Sequence, residues 1–141
     1  MAVVRLAFTP APRYVRTARL VGVAVAQRAG VAEELLDEVR LAIGEACARA
    51  VARHQREGID EPVRVEMTDD GPYVVRVIDL AGPDDPSGPG GPGATSSGAG
   101  DPAGGDGDMA ETVLAGLVDD LQVAPGEVRM TWPVRRRLGW R

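Results

Sequence analysis

Apolar residues alternate around Arg5 from Val3 to Phe8, and Thr9-Pro10-Ala11-Pro12 then breaks the run, which predicts a short strand ending in a turn. The period then lengthens. Tyr14, Ala18, Val21, Val25 and Ala29 recur at helical spacing, with Gly30 placed to end that helix. A second helix is predicted after Val31, its first turns holding Glu33, Glu34, Asp37 and Glu38, where the helix dipole favours negative charge. Its apolar face is Leu36, Val39, Ile43, Ala46, Cys47 and Ala50; it runs to about Arg56 and Gly58 closes it. Alternation returns from Pro62 to Thr68, turns at Asp69-Asp70-Gly71-Pro72 and resumes from Tyr73 to Ile78, the pattern of a hairpin. Beyond it, Val113, Leu114, Leu117, Val118 and Leu121 predict a helix within Met109–Gln122. A last strand is expected at Glu127–Trp132 after Pro125-Gly126, with Arg135-Arg136-Arg137 in a frayed tail.

Between these halves the chain changes character. Residues 82–108 hold ten Gly, five Pro and five Asp, with no aliphatic residue larger than Ala. Such a segment cannot bury enough apolar area to offset the entropy of ordering it, and a disordered insert is expected there. The rest reads as strand, helix, helix, strand, strand, insert, helix, strand. That order predicts a single α+β domain over residues 1–141, with helices on one face of a largely antiparallel sheet.

Composition narrows the chemistry. Of 141 residues, 44% are hydrophobic but only one is Phe, two Tyr and two Trp, so the core must be built from Ala, Val and Leu. There are 21 acidic and 16 basic residues, all of the latter Arg, and the net charge of −5 argues against nucleic-acid binding through phosphate neutralisation. A single Cys47 excludes an intrachain disulfide, and a single His54 argues against a His-rich metal site. No stretch approaches a membrane span and no leader pattern opens the chain, so a cytoplasmic location is expected. The sequence contains no Asn.

The run Arg40-Leu41-Ala42-Ile43-Gly44-Glu45-Ala46-Cys47-Ala48-Arg49-Ala50-Val51 resembles the Glu-x-x-x-Asn box of the histidine-kinase-like ATPases, and among them the small anti-sigma factors. Val4–Phe8, Val74–Asp79 and Val113–Trp132 are similar to that family's first strand, its adenine-site strand and its last helix and strand. The resemblance implies a Bergerat fold, ATP and magnesium binding, homodimerisation, capture of a sigma factor and serine phosphorylation of a STAS-type anti-anti-sigma partner. It further implies Glu45 as the catalytic acid or base if the chain is active, Asp79 as an adenine contact, and Arg19 as a partner contact.

The nucleotide boxes depart from the family pattern at three places. Arg49 stands where the family has its magnesium-ligating Asn, and a guanidinium has donors only. Asp108-Met109-Ala110-Glu111 stands where a Gly-x-Gly would offer bare N–H groups to phosphate, and it reads instead as a capping box. Ala81 holds the position of the Gly after the adenine-site Asp, with Gly82 displaced by one. The expectation is a regulator that binds a sigma factor or an anti-anti-sigma protein with ATP binding weak or lost, no cofactor and no metal. The alternative is an active serine kinase.

Each candidate has a simpler reading beside it. Glu45 and Arg49 stand at i and i+4 in the favourable order for a helix-surface ion pair. Arg13, Arg16 and Arg19 could be a solvated face or a stripe that steers an acidic partner. Cys47 is expected as a core thiol, and His54 near the helix end as a partner for the terminal carbonyls. Trp132 and Trp140 are assigned to a sheet edge or a dimer seam without a choice between them.

Overall fold

The computed structural model describes residues 3–69, 71–79 and 112–135. Strand β1 spans Val3–Phe8; a 3₁₀ turn at Pro12–Tyr14 leads into α1, Val15–Ala29, and a second at Glu33–Leu35 leads into α2, Leu36–Glu57. Strands β2 (Val63–Thr68) and β3 (Tyr73–Ile78) form the hairpin, residues 112–117 are helical, and β4 (Asp120–Ala124) and β5 (Glu127–Trp132) complete the chain. The five strands form one antiparallel sheet in the order β1-β2-β3-β5-β4. The α+β class expected from the pattern is the one observed.

Alternation explains which side of the sheet is covered. Val63, Val65, Met67, Tyr73, Val75, Val77, Val128, Met130 and Trp132 are buried and share one face. Both helices pack on that face over β2 and β3, closing it with Ala18, Val25, Ala26, Val39, Ile43, Ala46, Cys47 and Ala50. These small side chains fill the space only if the helices lie close together. They do: a Cβ on Gly22 would stand 2.2 Å from Ile43 Cδ1, and one on Gly44 would stand 2.7 Å from Arg19 Cδ. The carbonyl of Gly22 accepts a 2.7 Å hydrogen bond from Tyr73 Oη, which ties α1 to the sheet below it. Burial raises the Tyr73 hydroxyl pKa, so the phenol remains a donor.

The opposite face carries charge instead of a second layer. Arg76 on β3 makes two hydrogen bonds to Glu127 on β5, at 2.7 and 3.1 Å, and one of 2.7 Å to Glu66 on β2, which Arg5 on β1 approaches at 3.4 Å. The hydrogen bond from Arg76 holds the Glu127 carboxyl below its ordinary range, against the opposing effect of burial. A depressed carboxyl stabilises the fold at neutral pH and loses that contribution as acid protonates it. Both side chains are about one-third exposed, so the pair is worth no more than about 1 kcal/mol.

The last third of the chain departs from the helix expected within Met109–Gln122. Helix is observed over 112–117, and Leu121 and Gln122 lie in β4, an edge strand that helical spacing concealed. The Leu117 carbonyl accepts a 3.0 Å hydrogen bond from Trp132 Nε1, and the Asp119 N–H donates to the Thr131 carbonyl, so the backbone has changed partners by this point. Leu121 and Val123 stand opposite Met130 and Val128, and the Pro125-Gly126 turn, with Gly126 at φ 76°, closes the hairpin. Trp132 is neither at a sheet edge nor at a seam: it is fully buried and stacked on Tyr73 with centroids 6.0 Å apart. Arg135, placed in a frayed tail, donates its N–H to the Gly30 carbonyl at 2.9 Å and pairs with Glu34 at 3.2 Å. The insert at 82–108 and Trp140 lie outside the described residues.

The close helix contact gives a direct test. Gly22→Ala must push Ile43 out of place and should lower stability by about 1–3 kcal/mol in urea denaturation. Ile43→Val removes the colliding Cδ1, so the double variant should recover part of that loss rather than add to it.

Candidate functional site

Helix α2 carries most of the chemistry on separate faces. Val39, Ile43, Ala46, Cys47 and Ala50 are buried, and one further helical step along that stripe reaches His54, which is fully buried. Its Nδ1 lies 2.9 Å from the carbonyl of Glu61, beyond the helix end. A carbonyl only accepts, so Nδ1 is the donor and Nε2 is the nitrogen turned toward the sheet. There it meets Asp79 at the end of β3, with Oδ1 at 2.5 Å, a close approach whose alignment is poor for a hydrogen bond. Arg53 Nε stands 3.7 Å from Asp79 Oδ2 and 3.1 Å from Glu57. The Asp79 N–H donates at 2.7 Å to the carbonyl of Gly126, which anchors the residue to the β4–β5 turn.

Asp79 is only 9% exposed. The carboxylate that the family resemblance assigns to adenine therefore faces inward, against an imidazole and a guanidinium from α2. His54 does not serve the last carbonyls of its own helix, as expected from its position; it bridges the segment after α2 to the end of β3. A signal for this was available, because His54 stands four residues after Ala50 on the buried stripe.

Glu45 and Arg49 are both half-buried on α2, yet the ion pairs among the described residues do not include one between them. The helix-surface bridge expected from their spacing is not seen among the described ion pairs. Glu45 instead lines a groove of about 380 Å³ between α1 and α2, together with Pro12, Val15, Arg19, Leu41 and Ala48. The three arginines of the expected stripe occupy different surroundings. Arg13 lies over the Tyr14 ring at 4.9 Å, and Arg16 is exposed. Arg19 is half-buried, its stem laid across Gly44, and it makes no ion pair with a described residue. Cys47 is a core thiol, as expected; burial pushes its pKa up to about 12, with Arg19 pulling slightly the other way. A thiol so held is unreactive at neutral pH.

A model of the histidine kinase-like ATPase domain matches residues 8–132. The chain belongs to the histidine kinase-like ATPase family. No curated protein matches it. Against the ATP and magnesium that this family implies, the donor set fits poorly. Arg49 offers no lone pair to a metal ion, and Asp79 Oδ1 is already against His54. Among the described residues no group of three His, Cys, Asp or Glu could hold a metal, and no helix is long and apolar enough to cross a membrane. The expectations at Ala81, Gly82 and Asp108 to Glu111 fall outside the described residues.

An Asp79 that serves the fold differs measurably from one reserved for a ligand. Asp79→Ala would leave His54 buried without its partner and should cost about 2–4 kcal/mol in the isolated chain. A carboxylate held only for adenine would cost nothing without ligand. In a double-mutant cycle with His54→Ala, the two losses should combine to less than their sum.

Proposed function

We propose that this histidine kinase-like ATPase domain works as a protein-binding regulator of transcription. It would resemble the anti-sigma factors in capturing a sigma factor or a STAS-type anti-anti-sigma protein, with ATP binding weak or lost. The observation that carries this reading is the inward capture of Asp79 by His54 and Arg53. Recognition of an adenine amino group needs a carboxylate oxygen turned toward the ligand, and here one oxygen is spent inside the fold. Arg49 in place of an amide supports the same conclusion at the metal end of the site.

Protein capture needs a surface that survives the loss of the nucleotide, and the α1 side of the helix pair offers one. Arg19 is held by its contact with Gly44, so little side-chain freedom remains to be lost on binding. It stands in a groove whose walls include the apolar Val15 and Leu41. The competing reading, an active serine kinase, draws on Glu45, which lines this groove and is not consumed by Arg49.

Titration calorimetry with Mg-ATP separates the two: no micromolar binding is expected, and its presence would favour the kinase. Arg19→Ala should leave the fold intact and weaken capture of the sigma-pathway partner at least tenfold, about 1.4 kcal/mol or more, with Arg16→Ala intermediate. The partner is recovered by pull-down from the native host and titrated with purified variants. Unchanged affinity in Arg19→Ala would move the interface off α1.

A further inference from the structure

His54 is the only imidazole in the chain and is fully buried, and each of its ring nitrogens faces an oxygen. Nδ1 lies 2.9 Å from the Glu61 carbonyl, and Nε2 lies 2.5 Å from Asp79 Oδ1. A neutral imidazole has one N–H and one lone pair, whereas a carbonyl and a carboxylate are both acceptors. The Glu61 carbonyl takes the single N–H, so a neutral ring would set its lone pair against a carboxylate oxygen inside the fold. Two bare acceptors at that separation repel, and burial removes the water that would screen them. A second proton turns the repulsion into attraction.

We infer that the fold holds that proton: His54 is an imidazolium paired with the Asp79 carboxylate, and the proton is the latch that keeps Asp79 turned inward. Arg53 decides which of the two groups carries it. Its Nε stands 3.7 Å from Asp79 Oδ2, and a cation there favours the ionised carboxylate, which leaves the proton on the ring. The poor alignment of Nε2 with Oδ1 weakens a neutral hydrogen bond more than it weakens an ion pair, because Coulomb attraction is not directional. The surrounding charges agree. From α2 come Arg53 and Glu57, which pair at 3.1 Å, and from β3 comes Asp79. The segment after α2 contributes the Glu61 carbonyl, and the β4–β5 turn contributes the Gly126 carbonyl that takes the Asp79 N–H. The covered face of β2 and β3 presents apolar side chains and Tyr73, whose hydroxyl is donated to the Gly22 carbonyl. In this cluster the anions Asp79 and Glu57 are balanced by cations only while the ring keeps its second proton. When that proton leaves, the repulsion returns and Asp79 is driven away from α2. The chain thereby couples a proton to the position of the residue that ends β3.

The inference rests on the inward position of Asp79 used in the reading above, but its test needs neither nucleotide nor partner. The probe is the proton itself, followed by NMR of the ring nitrogens in the isotope-labelled full chain, where a single imidazole leaves no ambiguity of assignment. Near neutral pH both nitrogens should show the shifts of protonated nitrogen. As the pH is raised, Nε2 should lose its proton in the same step that moves the signal of the Asp79 backbone N–H. Asp79→Asn removes the charge at nearly constant volume, and its ring should carry one proton near neutral pH while the circular dichroism of the fold is kept. A wild-type ring with one bare nitrogen near neutral pH would overturn the inference, as would an Asp79→Asn ring that keeps both protons. Separate steps for the ring and for the Asp79 N–H would overturn the latch. Should Asp79→Asn not fold, the wild-type shifts and their titration decide alone. Because Mg-ATP and partner binding are read in other experiments, failure of this inference leaves the protein-binding reading standing, and the reverse also holds.

Discussion

The contact between α1 and α2 at Gly22 and Gly44 is the constraint on which the rest of the fold depends. A chain with one Phe and a core of Val and Ala cannot fill a wide gap between helices and sheet, so the layers must approach closely. Gly22 admits the tip of Ile43, and Gly44 admits the stem of Arg19. With the helices this close, Tyr73 can reach a carbonyl of α1 from the sheet, and Trp132 can stack on Tyr73 from the next strand. The large aromatic groups thus bind the layers together without having to fill the space between them.

The same closeness distributes the chemistry of α2. Its sheet side is wholly committed to packing, which leaves Cys47 inert and carries His54 into the interior. Its α1 side ends in a groove where Arg19 is ordered by packing rather than by an ion pair. The methylene stem of that guanidinium lies against Gly44, where it helps cover the core.

Much of this was legible in the residues. Local pattern sufficed for both long helices, ended by Gly30 and Gly58 with positive φ, and for the β2–β3 hairpin and β5. It failed at β4, because Leu121 satisfies a helical repeat with Leu114 and Leu117 as well as an alternation with Val123. What decides between these is pairing with β5, a contact that no window centred on residue 121 contains. Trp132 was misplaced for a related reason: its burial depends on Tyr73 and on the carbonyl of Leu117, both brought to it by folding. Of the candidate site, Glu45, Asp79 and Arg19 were named from the family-like order of elements, while the group that Asp79 meets was not. The stripe that buries Ala46 and Ala50 pointed at His54, but a preference for helix-end carbonyls outweighed it.

That contact bears on how Asp79 is held at the end of β3. A carboxylate kept for a ligand is desolvated without full compensation until the ligand arrives, and such sites commonly reduce stability. In this chain the Asp79 oxygen meets a protein nitrogen at 2.5 Å, so the partner is supplied by the fold itself. Turning the Asp79 carboxylate outward would take away the acidic group that faces His54 Nε2 inside the fold. The inward position of Asp79 is therefore held by the stability of the folded chain itself.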